Sequence, residues 1–296
     1  MFGPLNHVLG SAGKRIRVEL LELSFQMAGG TDGVPVSVIE FVELLHGGSL
    51  VIDDIEDDSD WRRGKPTLHR VIGVPLAINT GNWMYFSALE KLHDLPLDAV
   101  AKNRIMAESL AIIRRCHEGQ ALDLAARVVE MERRDFYPTA IAISEMKTGG
   151  LSGLAASLGV ALAGASSNLQ KVFYSFGMHL GVGLQMQNDF QELKRGATCD
   201  GRSDDLRNGR VTWPWAWASQ LASEHEFKEL QRLLADSCSA GLHEVASKLL
   251  EIVAEACEPI IRKQISGAVL TLEKEIGSGS SEIMNQLVSR IEQYHG

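Results

Sequence analysis

Cysteine and proline are both scarce in this chain, with four of the first and eight of the second in 296 residues. Cys116, Cys199, Cys238 and Cys257 lie far apart, with no Cys-x-x-Cys pair and no Cys/His cluster at zinc spacing. A disulfide scaffold and a zinc module are therefore not expected, and reduced thiols in a cytoplasmic protein are the simplest reading. No apolar run is long enough to span a bilayer and no signal-peptide pattern opens the chain, so stable membrane insertion is not expected. Strand-type alternation, short repeats and low-complexity tracts are also missing. Positive charge is in deficit. The net charge of −9 disfavours nucleic acid as a partner, but a phosphorylated substrate stays open because bound metal ions reverse the sign locally.

What is present is apolar and helical in pattern. Hydrophobic residues make up 45% of the chain, enough for a substantial core. With so few prolines, the long three- and four-residue periodicities predict one all-α domain over residues 1–296. The first helical pattern begins near Lys14 and stops at Gly29-Gly30. The second starts after Pro35 and runs through Val38, Phe41, Val42 and Leu45 to an acidic run. Further helices are expected over 76–93, 97–129, 133–147, 150–163 and 167–194. The stretch 196–209, rich in Gly, Asp and Arg, is expected to be a loop, and amphipathic helix broken at Gly241 and at 277–281 follows.

Six acids fall within eight positions: Asp53, Asp54, Glu56, Asp57, Asp58 and Asp60. On a helix, Asp53 and Asp57 are one turn apart with Asp54 beside them. Carboxylates so crowded repel unless a proton or a cation neutralises them. Hard divalent cations suit such ligands, and Mg²⁺ typically takes one or two carboxylates, waters and phosphate oxygens. A solvated acidic helix end is the plain alternative. A second segment repeats the spacing at the end of another apolar stretch: Asn188, Asp189 and Glu192 stand where Asp53, Asp54 and Asp57 do. Alone it reads as a solvated helix end; as a pair, the two clusters suit several Mg²⁺ ions around a diphosphate. Arg62-Arg63 lies just past the first run, and Lys14, Arg15 and Arg17 crowd the N-terminal region. Arginine offers a forked donor set to phosphate and lysine a mobile point charge.

The stretch from His46 through Asp53, Asp54 and Asp57 to Arg62-Arg63-Gly64-Lys65-Pro66 resembles the first Asp-rich motif of trans-isoprenyl diphosphate synthases, most of all the geranylgeranyl diphosphate synthase branch. Weaker landmarks stand in the family's order: Gly13-Lys14-Arg15-x-Arg17, Gly119-Gln120-x-x-Asp123, Lys147-Thr148-Gly149-Gly150, Gln185, and Asp205-Leu206-x-x-Gly209-Arg210. The resemblance implies a helical bundle around a deep cavity, a homodimer, and head-to-tail condensation of isopentenyl diphosphate with an allylic diphosphate. By that likeness Asp53, Asp54 and Asp57, with Asp189, Asn188 and Glu192 opposite, bind about three Mg²⁺ ions. Arg62, Lys147 and Arg210 contact the allylic diphosphate. Lys14, Arg17, His46 and Arg63 bind isopentenyl diphosphate, and Thr148 and Gln185 sit near the developing allylic cation. A satisfied core histidine is the alternative for His46.

One departure from the family pattern stands out. Asn188 replaces an aspartate, so it offers a carbonyl oxygen without charge and is expected to weaken metal loading. Asparagine there also resembles class I terpene cyclases, but Glu192 and Gly196 hold positions where a cyclase needs a hydroxyl and an acid. A low-activity subunit of a heteromeric synthase is a third possibility, opposed by the retention of both acidic clusters. In the family, bulky residues four or five places before the first motif limit chain growth. Here Gly48 and Ser49 are small, which is expected to leave room for a C20 product, with C15 next; Trp83 and Phe86 on the following helix suit either a floor to the cavity or ordinary core packing.

Overall fold

The computed structural model describes residues 2–10, 15–95, 97–198, 203–237 and 241–277. The described chain is helical throughout except for one two-stranded hairpin, in line with the all-α expectation. It divides into two compact units. The first comprises Met1–Ile112, Leu151–Gly177 and Ile276–Gly296, and the second Ile113–Gly150 and Met178–Glu275.

In the first unit, α1 (Phe2–Leu9) and α2 (Ile16–Met27) precede α3 (Val36–Glu56). Gly29, at φ 93°, ends the chain's run after α2 in a conformation that costs glycine little. Pro35 precedes α3 with extended geometry, and Val38, Phe41, Val42 and Leu45 form its buried stripe. Asp57 caps α3, its backbone N–H donating to Asp53 O. The hairpin pairs β1 (Trp61–Arg62) with β2 (Lys65–Pro66). Its central residues Arg63 and Gly64 both have positive φ, 53° and 76°, the two-residue turn that matches strand twist. A non-glycine residue there costs roughly 1–2 kcal/mol. Next come α4 (Leu68–Ile72) and α5 (Val74–Lys91), with Pro75 in the first turn of α5, where its missing N–H costs nothing.

The helix expected over 97–129 is shorter: α6 spans Ala99–Ala125, and a 3₁₀ turn takes Val128–Glu130. Then follow α7 (Phe136–Ser144), α8 (Gly150–Leu162) and α9 (Ser167–Gly196). The break expected between 147 and 150 is a π-helical turn, Glu145–Gly149, joining α7 to α8. The remaining helices belong to the second unit: α10 (Asp204–Arg207), α11 (Trp213–Leu221), α12 (Glu224–Asp236) and α13 (Leu242–Ile276). The stretch 196–209 thus contains a short helix capped by Ser203, while residues 199–202 lie outside those described.

Each unit has its own core. Leu20, Leu21, Phe41, Ala77 and Met84 are buried in the first, and Phe136, Trp213, Trp215, Trp217 and Phe227 in the second. Phe136 meets Phe227 edge-on at 5.0 Å between centroids, a geometry favoured by the aromatic quadrupole.

Candidate active site

The acidic run at the end of α3 is sorted by the turn of the helix. Asp58 and Asp60 face outward and pair with Arg70 at 2.7 and 2.8 Å. Asp54 is 5% exposed and accepts from Arg62 Nε at 2.5 Å, while Arg62 Nη2 stands 3.6 Å from Asp53. Asp57 is half-buried. Burial pushes the Asp54 carboxyl up to about 6, against the pull of Arg62; Asp53 and Asp57 add to the rise. The hairpin turn is what delivers Arg62 to Asp54, which gives the strained Arg63 a structural purpose.

About two turns earlier on α3, His46 meets α2. Arg17 Nη1 lies 3.3 Å from His46 Nε2. Arginine only donates, so Nε2 accepts and the imidazole proton sits on Nδ1, which is buried and has no hydrogen-bond partner. Burial, then Arg17, Arg63 and Arg62, hold the His46 pKa well below its ordinary value. His46 is therefore a neutral donor among cations, suited to an anionic oxygen. It lines an apolar pocket with Arg17, Phe41, Leu45, Leu151 and Leu154. Lys14 lies outside the described residues.

The residues expected to set product length lie on α3 and α5. A side chain at Gly48 would meet Gly81 O at 3.1 Å, Met84 Cβ at 3.2 Å and Tyr85 Cδ1 at 3.6 Å. The absence of a side chain at Gly48 is thus what lets α5 pack close to α3. Met84 is fully buried, Trp83 is half-buried, and Phe86 is 69% exposed. Phe86 is two residues from Met84, about 200° around the helix. Met84 and Tyr85 are the residues of that turn set against Gly48. Ser49 turns its hydroxyl back to His46 O at 2.8 Å.

In the second unit the π-helical turn presents two side chains. Lys147 Nζ pairs with Asp123 Oδ2 at 2.5 Å, and Thr148 Oγ1 donates to Gln185 Oε1 at 2.6 Å. Such turns widen a helix locally and recur at functional sites. Gly149 lets α9 approach, because a Cβ there would lie 3.0 Å from Met178 O. Buried Arg210 donates to Asp123 O at 3.1 Å, so Asp123 gathers two of the expected phosphate-binding cations.

The second acidic cluster is dispersed by its partners. Asp189 is 7% exposed. It accepts from Gln185 Nε2 at 2.7 Å and from the Trp213 backbone N–H at 3.0 Å. Burial pushes its pKa up to about 7, against those two donors; Glu192 and Asp123 raise it further. Glu192 Oε1 accepts from Ser203 Oγ and the Asp205 N–H, both at 3.2 Å. Asn188 stands exposed and takes part in none of these contacts.

Among the described residues, no three His, Cys, Asp or Glu side chains converge tightly enough to hold an ion by themselves. The donor chemistry still fits Mg²⁺, which takes few carboxylates and completes its shell with water and phosphate. Two buried carboxyls with raised pKa values suit a cation of that kind.

Sequence reasoning singled out most of these positions but gave Asp123 no role of its own, although it closed the Gly119-Gln120-x-x-Asp123 landmark. Trp213 and Ser144 carried no local signal at all. Their contact spans 69 positions.

The polyprenyl synthetase family matches over residues 1–253. The geranylgeranyl pyrophosphate synthase 2 of Zymoseptoria tritici is 30% identical, over 98% of this chain and 86% of its own. The geranylgeranyl pyrophosphate synthase of Eremothecium gossypii is 32% identical, over 75% of this chain and 70% of its own. The crystal structure of a polyprenyl synthase from Caulobacter crescentus shares the fold with a TM-score of 0.85 at 20% identity, over 99% of this chain and 89% of that one.

Proposed function

The chain belongs to the polyprenyl synthetase family and is a prenyltransferase, and on that premise we propose that it condenses isopentenyl diphosphate with an allylic diphosphate to give geranylgeranyl diphosphate. The family works with Mg²⁺, and the relatives at 30 and 32% identity bear the name of the C20 synthase. The observation that carries the reading is the set held by α3, α2 and the hairpin: Asp53 and Asp54 against Arg62, beside neutral His46 and Arg17. One unit thereby offers both a metal-binding carboxylate pair and cations for anionic oxygens.

Asp53, Asp54 and Asp57 are assigned to Mg²⁺ on the allylic diphosphate. Asp189, with Asn188 and Glu192, is assigned to Mg²⁺ on the same chemistry, for about three ions in all by family likeness. Bound Mg²⁺ supplies Lewis-acid stabilisation to the departing diphosphate. Arg62, Lys147 and Arg210 add positive charge where the leaving group gains negative charge. Thr148 and Gln185 are assigned to the neighbourhood of the allylic carbon, where apolar surroundings would keep water from the carbocation. Arg17, Arg63, His46 and Lys14 hold isopentenyl diphosphate, so that its double bond lies in line with the ionising carbon. The released diphosphate takes the final proton, and no dedicated base is required. Gly48, Ser49, Trp83 and Phe86 are the assigned determinants of product length, with Met84 and Tyr85 packed beside Gly48. The same reading carries a single synthase domain, a homodimer and a cytoplasmic location. No described helix is long and apolar enough to cross a membrane.

The test is a product analysis. Purified protein with Mg²⁺, isopentenyl diphosphate and each allylic diphosphate in turn is expected to yield the C20 diphosphate by mass. Hydrocarbon products would point to a cyclase, and a silent protein to the subunit of a heteromeric enzyme.

A further inference from the structure

Four hydrogen bonds in the second unit form a ring. Thr148 Oγ1 donates to Gln185 Oε1, and Gln185 Nε2 donates to Asp189 Oδ1. Asp189 Oδ2 accepts from the Trp213 backbone N–H, and Trp213 Nε1 donates to Ser144 Oγ at 2.8 Å. Ser144 is the last residue of α7, four positions before Thr148, so the backbone of the π-helical turn closes the circuit. Trp213 is fully buried and Ser144 is 2% exposed. Water therefore does not compete for the last bond, and neither of its ends turns freely.

We infer that Trp213 and Ser144 are positioning residues: their bond fixes the start of α11 against the π-helical turn and so holds the Asp189 carboxylate in the orientation that receives a divalent cation. Three observations support this. The Trp213 N–H belongs to the first turn of α11, so the carboxylate direction follows the placement of that helix end. Trp213 is held on two further sides by rings, Tyr137 at 5.6 Å and Trp217 at 5.8 Å, and its indole N–H ties the side chain to Ser144. Asn188, the neighbour that would share the load, is exposed and uncharged. Outer hydrogen bonds of this type set the geometry of a carboxylate ligand and its metal affinity. The inference deepens the reading given above and rests on it.

The test measures Mn²⁺ binding by electron paramagnetic resonance, with inorganic diphosphate present and no allylic substrate. Trp213→Phe and Ser144→Ala each remove the same bond, and each is expected to weaken Mn²⁺ binding roughly 10-fold. Ser144→Thr keeps the hydroxyl and is expected to bind as the wild type does. The double variant is expected to match either single one, because one bond is lost once. Thermal melting of Ser144→Ala, which trims one oxygen, serves as the folding control. Unchanged Mn²⁺ affinity in both single variants would overturn the ring's role while leaving the enzyme reading intact. Equal weakening in Ser144→Thr and Ser144→Ala would overturn it too. Wild-type protein that fails to bind Mn²⁺ would sink the metal reading itself and the ring with it.

Discussion

Asp54 and Asp189 make an instructive pair. Each ends a long apolar helical run, each is buried, and burial raises the pKa of both. Their partners differ in kind. Asp54 receives a guanidinium from a hairpin eight residues on, whereas Asp189 receives only neutral N–H groups, from Gln185 and the start of α11. A full positive charge at 2.5 Å offsets the cost of burying a carboxylate better than dipoles do. Burial is the largest cause of the rise in both, to about 6 at Asp54 and about 7 at Asp189. The same residue type at the same spacing becomes, in one case, a charge already answered within its unit. In the other it is a charge still in need of a cation.

The largest effect should come from taking away that answer. Arg62→Ala leaves Asp54 buried without its cation and removes a positive charge from the leaving group. Turnover is expected to fall about 100-fold or more, by analogy with deletion of one preorganised electrostatic donor. Near-normal kcat would show that the Arg62 contact is a structural tie only.

Asp189→Asn comes next. The amide oxygen still accepts the Trp213 N–H, so the fold is kept while the charge is lost. Turnover is expected to drop by about 10²-fold, and the melting temperature at pH 8 is expected to rise, because an uncompensated buried carboxylate is removed. A lower melting temperature would mean that the neutral donors satisfy the charge, and the contrast with Asp54 would lose its basis.

The pH dependence of stability sharpens the same contrast. Both folded-state pKa values are raised, so each group contributes stability that is complete below the ordinary carboxylate range and is lost as pH rises through about 6 for Asp54 and about 7 for Asp189. Metal-free protein should therefore melt at progressively lower temperature from about pH 4 to about pH 7.5, and Mg²⁺ with diphosphate should flatten the curve. In Asp189→Asn the upper part of this decline should vanish. Calorimetry across that range distinguishes a flat wild-type curve, which would contradict the two shifts, from the expected slope.

The smallest effect is expected at Asn188. Asn188→Asp adds charge beside Asp189 at an exposed position, where screening is strong, and should lower the Mg²⁺ needed for half-maximal rate a few-fold. An unchanged Mg²⁺ requirement would show that Asn188 does not limit metal loading.

Much of the site was legible because it is local. The carboxylate spacing, the double arginine and the glycine after it are properties of a dozen consecutive residues, and helix periodicity places them without knowledge of the rest. The all-α class followed from the same periodicity. The outward turn of Phe86 is also a matter of helical phase. An aromatic-rich turn reads as one feature in sequence, whereas on α5 Met84 and Phe86 point to nearly opposite sides.

The sequence by itself determined which residues could carry charge to a diphosphate and that they ride on helices, since both depend on residue type and on a repeat of 3.6. Tertiary structure alone decided which carboxylates are buried, which partner answers each, and that Asp123 draws Lys147 and Arg210 together. It alone joined Ser144 to Trp213. Burial and hydrogen bonding between distant segments set the energy of a charge, and nothing in the local order of residues encodes how far that charge ends up from water.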